Sequence, residues 1–179
     1  MRATGLLLLA LAGCVGAGVG RSQTSAGLNF QVQIPTQISI RLLSSPPVFD
    51  LSLSSGGFPP EVFPAYYRPS NGQDLVLEIF SNATSFTVTA TAAQNFTPTL
   101  LASQLYLGLP DATTPADGTQ APDPNLWTSF GAPVPLGQET RRTQGYERIE
   151  RLLLLQLTGA EEAASNATVT ITYTITSGV

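Results

Sequence analysis

The chain of 179 residues contains no histidine, no lysine and one cysteine. Without histidine it lacks the commonest general base, the central member of a Ser-His-Asp triad and the commonest zinc ligand. The lone cysteine, Cys14, cannot close a disulfide within the chain, and no cysteine cluster is present to hold a structural zinc or an iron-sulfur centre. We therefore expect no metal and no cofactor. Charged residues make up 11% of the chain, well below the usual quarter, so its polar surface is built from Thr, Ser, Gln and Asn. All 8 basic residues are arginines, the net charge is -4, and the largest basic cluster is Arg141-Arg142. A nucleic-acid partner has no electrostatic footprint here. Neither a glycine-rich phosphate loop nor a Gly-x-Ser-x-Gly elbow occurs. What remains for catalysis is a carboxylate pair of the glycosidase kind. Glu61, Asp74, Glu78, Glu147 and Glu150 are available, but they are scattered as any solvated surface scatters its acids. We expect no enzyme.

Residues 1–26 read as an export signal: Arg2, an apolar run starting at Leu6, then small residues. The run from Leu6 to Val19 is glycine-rich and too short to cross about 30 Å of hydrocarbon as a helix, so no transmembrane span is expected. Leu11-Ala12-Gly13-Cys14 has the form of a bacterial lipobox, in which cleavage precedes the cysteine and the cysteine carries lipid. Cleavage there would leave a signal shorter than the usual range of roughly 15 to 30 residues, and the apolar run continues past Cys14. Cleavage between Gly20 and Ala26 is favoured, with lipid attachment at Cys14 the alternative. Either places the mature chain outside the cytoplasm, secreted, periplasmic or at the cell surface, and lipid-anchored if Cys14 is acylated. Residues 27–179 are then one domain, large enough to bury a core without covalent staples.

Along that domain the dominant signal is a period of two. "ATVTITYTIT" sets Val169, Ile171, Tyr173 and Ile175 against Thr168, Thr170, Thr172 and Thr174. "SFTVTATA" repeats the pattern with Phe86, Val88 and Ala90, and "LNFQVQI" with Leu28, Phe30, Val32 and Ile34. Beyond Pro35 the rhythm resumes in "QISIRLL", while "VFDLSL", "DLVLEIF" and "QLYLGL" add three more strands. "GYERIERLLLLQLTGAEEAA" is ambiguous: Glu147 and Arg151 suit a helix, whereas Leu152 to Leu155 fill both faces of a strand. A central strand buried on both sides is favoured. The expectation is an all-β, antiparallel, immunoglobulin-like sandwich of about seven to nine strands.

Two Pro-rich stretches, 54–74 and 110–137, read as long loops, which are uncommon unless functional or disordered. They carry Tyr66, Tyr67 and Trp127, either a stacking platform for a sugar or plugs for the ends of the sandwich, with packing favoured. Asp111, Asp117 and Asp123 offer hard oxygens of the kind Ca²⁺ takes, but Asp before Pro, Gly or Ala is also ordinary turn chemistry, and turns are favoured. "NAT" at Asn82 and Asn166 and "NFT" at Asn95 match the glycosylation triplet, which Asn/Thr-rich strands produce readily.

"LNFQVQIPTQISIRLL" and "LLLLQLTGAEEAASNATVTITYTIT" resemble the first and last strands of secreted bacterial surface sandwiches of the spore-coat-protein-U and pilin-like kind. The resemblance implies an envelope or appendage component with no catalytic residues to carry over. We accordingly expect an exported structural or adhesive domain that assembles with itself or with other surface proteins by strand pairing, through residues 28–34 or the Thr-faced terminal strand. The alternative is a polysaccharide-binding module using Tyr66, Tyr67 and Trp127.

Overall fold

The structure is a computed structural model and describes residues 31–53, 58–113, 120–164 and 166–178. Pro35–Val179 forms one compact unit. Its strands are β1 (Ile38–Leu42), β2 (Ala65–Tyr67), β3 (Leu75–Ser81), β4 (Phe86–Ala92), β5 (Leu105–Gly108), β6 (Trp127–Ser129), β7 (Val134–Glu139), β8 (Glu147–Leu157) and β9 (Ile171–Ser177). The larger sheet runs β1-β3-β8-β5-β6, and the smaller runs β7-β4-β9. Every pairing is antiparallel, so the all-β sandwich is the fold.

The period of two decides what lies between the sheets. Leu75, Leu77 and Ile79 of β3, Phe86, Val88 and Ala90 of β4, and Leu105 and Leu107 of β5 turn inward and are buried together. Their alternate neighbours stay half-exposed or pack elsewhere, as a pleated strand requires.

The chain commits β8 to burial on both faces. Leu153 joins the central core and Leu155 and Leu157 join Ala65 and Tyr67 on the inner side, while Leu154 lies in an outer cluster with Tyr66 and Trp127. Four consecutive leucines cannot be split between core and water at a period of two, so a second hydrophobic layer covers the outside of this sheet. β8 also organises its neighbours. Its residues Glu147–Arg151 pair with β3 and Leu155–Leu157 with β2, so β2 and β3 share one side of it, separated by the excursion 68–74. That excursion leaves the Leu153 N–H without a strand partner, and the Asp74 carboxylate accepts it at 3.0 Å while pairing with Arg68 at 2.6 Å.

Several expected elements differ. "VFDLSL" is not a strand: Leu51–Leu53 forms a single 3-10 turn. Asp50 accepts both the backbone N–H and the hydroxyl of Ser52, and Asn71 and Ser70 bind the Val48 backbone, so local side chains replace a ladder. The strand expected over 28–34 is absent at 31–34, where Val32 and Ile34 are exposed; residues 28–30 lie outside the described residues. The two stretches read as loops contain β2, β6 and the first four residues of β7. β7 tolerates Pro135 because it is an edge strand and because the β4 pairing shifts register there, Val88 opposing Gly137 and Thr89 opposing Pro135. The terminal strand begins at Ile171, so Thr168 and Val169 precede it.

Candidate functional site

The three aromatic residues singled out in the sequence are interior groups. Tyr66, Tyr67 and Trp127 are buried, and they do not gather on one exposed face. Tyr67 points into the inner cluster with Leu155, whereas Tyr66 and Trp127 lie in the outer cluster with Leu154 and Ala112. Tyr66 meets Tyr106 edge to face at 6.3 Å, and the Gln156 amide donates to the Tyr66 hydroxyl at 3.0 Å and accepts from that of Tyr106 at 3.3 Å. Burial, then the neighbouring Tyr66, raises the Tyr106 hydroxyl above its ordinary value. Trp127 fits only because residue 108 is glycine: a Cβ there would come within 2.8 Å of the indole ring. These rings seal the outside of β8.

A second aromatic pair, half-buried Phe80 and exposed Tyr146, lies elsewhere on the same outer face, and neither ring was singled out in the sequence. Phe80 is the last outward residue of β3, and Tyr146 immediately precedes β8 after Gly145 turns at φ 94°. Their ring centres are 5.6 Å apart at 44°. Arg41 of β1 lies over the Tyr146 ring at 4.2 Å and donates to its hydroxyl at 2.7 Å. Beside them a cavity of about 600 Å³ is lined by Thr36, Gln37, Ile38, Ser39, Phe80 and Tyr146. The signal for Phe80 was readable: in "DLVLEIF" it stands on the parity of Glu78, where a large ring has no core to enter. Tyr146 carried no such signal.

A second cavity, of about 430 Å³, lies near Asp74, Arg148, Glu150 and Arg151. Its charges are committed to one another and to the backbone. Arg148 pairs with Glu150 at 2.6 Å, and Arg151 donates to the carbonyls of Glu150 and Leu136. Burial lowers the Arg151 pKa below its ordinary value.

The acids do not converge. Glu147 binds Arg141 through both carboxylate oxygens at 2.7 and 3.1 Å, and these hydrogen bonds hold its carboxyl below the usual range. Asp74 and Glu150 are paired as described, and Glu61 is exposed. Among the described residues no three His, Cys, Asp or Glu side chains gather to hold a metal. Asp123 caps its own turn by accepting from the Asn125 backbone and amide at 2.9 Å; Asp111 sits in a turn, and Asp117 lies outside the described residues. Cys14 also lies outside them. No helix among the described residues is long and apolar enough to cross a membrane.

One carboxylate binds more donors than any surface role needs. Glu161, after β8, accepts from the Thr158 N–H at 2.8 Å, the Thr158 hydroxyl at 2.7 Å, the Gly159 N–H at 2.9 Å and the Gln104 amide at 2.5 Å. Burial pushes its carboxyl up, but these donors outweigh that and hold it at about 2.

The last geometric feature is a seam. β1 ends one sheet, β9 ends the other, and the two run beside each other without a ladder between them. The inward apolar side chains here are incompletely covered: Ile38 is 41% and Leu42 55% exposed, and Ile171, Tyr173 and Ile175 are half-buried. Burial pushes the Tyr173 hydroxyl up to about 12.

Compared with protein-family models, with curated proteins and with solved structures, the chain matches none. The class defined by fold and geometry is an all-β sandwich with a double-sided central strand and one open seam.

Proposed function

We propose that this is an exported surface or envelope protein with a structural or adhesive role, assembling by strand pairing at the free edge of β9. The observation that carries the reading is the open seam: among the described residues β9 has a strand partner on one side only, and its inward Ile171, Tyr173 and Ile175 are half-covered. A further strand with alternating apolar side chains would complete both the ladder and the core. Residues 28–34 have that alternation, and Val32 and Ile34 are exposed. A second copy supplying this segment satisfies the chemistry of the edge. The export signal at residues 1–26 and the low charge of the terminal strands support an extracytoplasmic setting.

Light scattering on the purified domain, residues 27–179, tests this. Mass should rise above the monomer with concentration, and deletion of residues 27–34 should return it to the monomer while the fold is retained. A chain that stays monomeric at high concentration, or whose assembly survives the deletion, refutes the proposal.

A further inference from the structure

We propose that the cavity beside Phe80 and Tyr146 binds a neutral sugar residue of a glycan. The proposal is independent of strand assembly: it concerns the outer face of the larger sheet, not the β9 edge.

Size and lining choose the ligand class. About 600 Å³ lies within the range of small-molecule sites. Two aromatic rings meet there, with Tyr146 47% exposed and set by Arg41 against one side of it. An aromatic ring offers an apolar face on which the C–H side of a pyranose packs. The other lining groups include two hydroxyls and one carboxamide, those of Thr36, Ser39 and Gln37. Among the described residues no hydrogen bond engages these three side chains, so they are available to sugar hydroxyls, each of which both donates and accepts. Ser39 stands directly opposite Phe80 across the β1–β3 ladder, which places a hydroxyl beside a ring at a fixed distance on two paired strands.

Charge argues against other ligands. Among the described residues no ionic side chain lines this cavity, and Arg41, which stacks on Tyr146, is engaged by that ring and its hydroxyl. A phosphate, a carboxylate or an amine would meet no counter-ion among these lining groups and would give up part of its hydration against the rings. A neutral polyol that is apolar on one side meets no such cost.

The backbone around the cavity is held. The Gln37 N–H donates to the Asn82 side chain at 2.6 Å, the Gln37 carbonyl accepts the Asn82 N–H at 3.1 Å, and the Asn82 amide donates to the Pro35 carbonyl at 2.8 Å. Asn82 therefore pins residues 35–37, and the segment bearing two of the polar groups is organised before any ligand arrives.

The test is isothermal titration of residues 27–179 with cellohexaose, laminarihexaose, maltohexaose, mannohexaose and chitohexaose. At least one should bind with Kd at or below about 1 mM, and Tyr146→Ala should weaken it about tenfold or more. Ser39→Trp, which fills the cavity without removing either ring, should abolish binding. Gln138→Ala, exposed on β7 of the other sheet, should bind as the parent does. If Tyr146→Ala unfolds, Gln37→Ala at an exposed position must still weaken binding. The proposal is overturned if none of the five binds, if binding survives both Tyr146→Ala and Ser39→Trp, or if Tyr146→Ala abolishes self-association and leaves glycan binding unchanged. Repeating the titration after deletion of residues 27–34 separates the two proposals: loss of assembly with glycan binding kept leaves this one standing alone.

Discussion

Gly108 and Glu161 each carry more of the structure than their size or exposure suggests. At Gly108 the missing Cβ is what lets the Trp127 indole lie flat against β5. Gly108→Ala should destabilise the protein by about 1–3 kcal/mol through overpacking, read as a lower urea midpoint with Trp fluorescence altered in the native state. Glu161 is ionised in the fold down to about pH 2, against an ordinary value near 4.5. Its contribution is therefore fully present above the unfolded value and is lost as pH falls from about 4.5 toward 2. Glu161→Gln should lower stability by about 1–3 kcal/mol at neutral pH, and the gap to the parent should close as unfolding is followed down to pH 2. A constant gap across that range would show that its donors do not depend on the charge. Neither residue was legible beforehand. Gly108 needed the position of a ring distant in sequence, and Glu161 needed the Gln104 amide, which a turn brings to it.

At the scale of elements, alternation was the reliable signal where a strand has one face in the core. β3, β4 and the body of β9 lie where the period of two put them. The run Leu152 to Leu155 was also readable, because a strand leucine on either parity demands cover. What covers it was not: the outer layer comes from Tyr66 and Trp127, on strands three residues long, too short for periodicity to register. "VFDLSL" failed in the opposite direction, since its alternation is real but Asp50, Ser70 and Asn71 offer its backbone closer partners. The excursion 68–74 shows how such side-chain bonding supports a broken ladder. Asp74→Ala should leave the Leu153 N–H without its acceptor and remove the carboxylate that Arg68 pairs with, and cost about 2–3 kcal/mol in chemical denaturation. Hydrogen exchange at Leu153 should accelerate more than at Leu107, which lies within an intact ladder.

For the whole molecule, the all-β antiparallel sandwich read from the sequence is the fold, whereas the three loop aromatics do not form one exposed face. Tyr66, Tyr67 and Trp127, for which packing is the favoured reading and a sugar platform the alternative, lie inside, and the exposed ring is Tyr146, beside half-buried Phe80. Export is tested at this scale by intact mass on native protein from membrane and medium fractions. The expected mature chain starts between Arg21 and Gly27, whereas a start at acylated Cys14 would make it a tethered lipoprotein.

The bonding around Asn82–Ser85 brings both ends of the sandwich to one pole. Gln37, at the approach to β1, is bonded to Asn82, and the Gly178 N–H, just beyond β9, donates to the Ser85 carbonyl at 3.0 Å. Entry and exit of the chain are thus joined through one short connection between the sheets. A circular permutant should follow from that geometry: linking Gly178 to Pro35 by a few glycines and reopening the chain between the exposed Ala163 and Ala164 should preserve the sandwich, with circular dichroism and a cooperative melt as the readout. It would also set Tyr146 and its cavity on a domain whose ends lie away from residues 35–37.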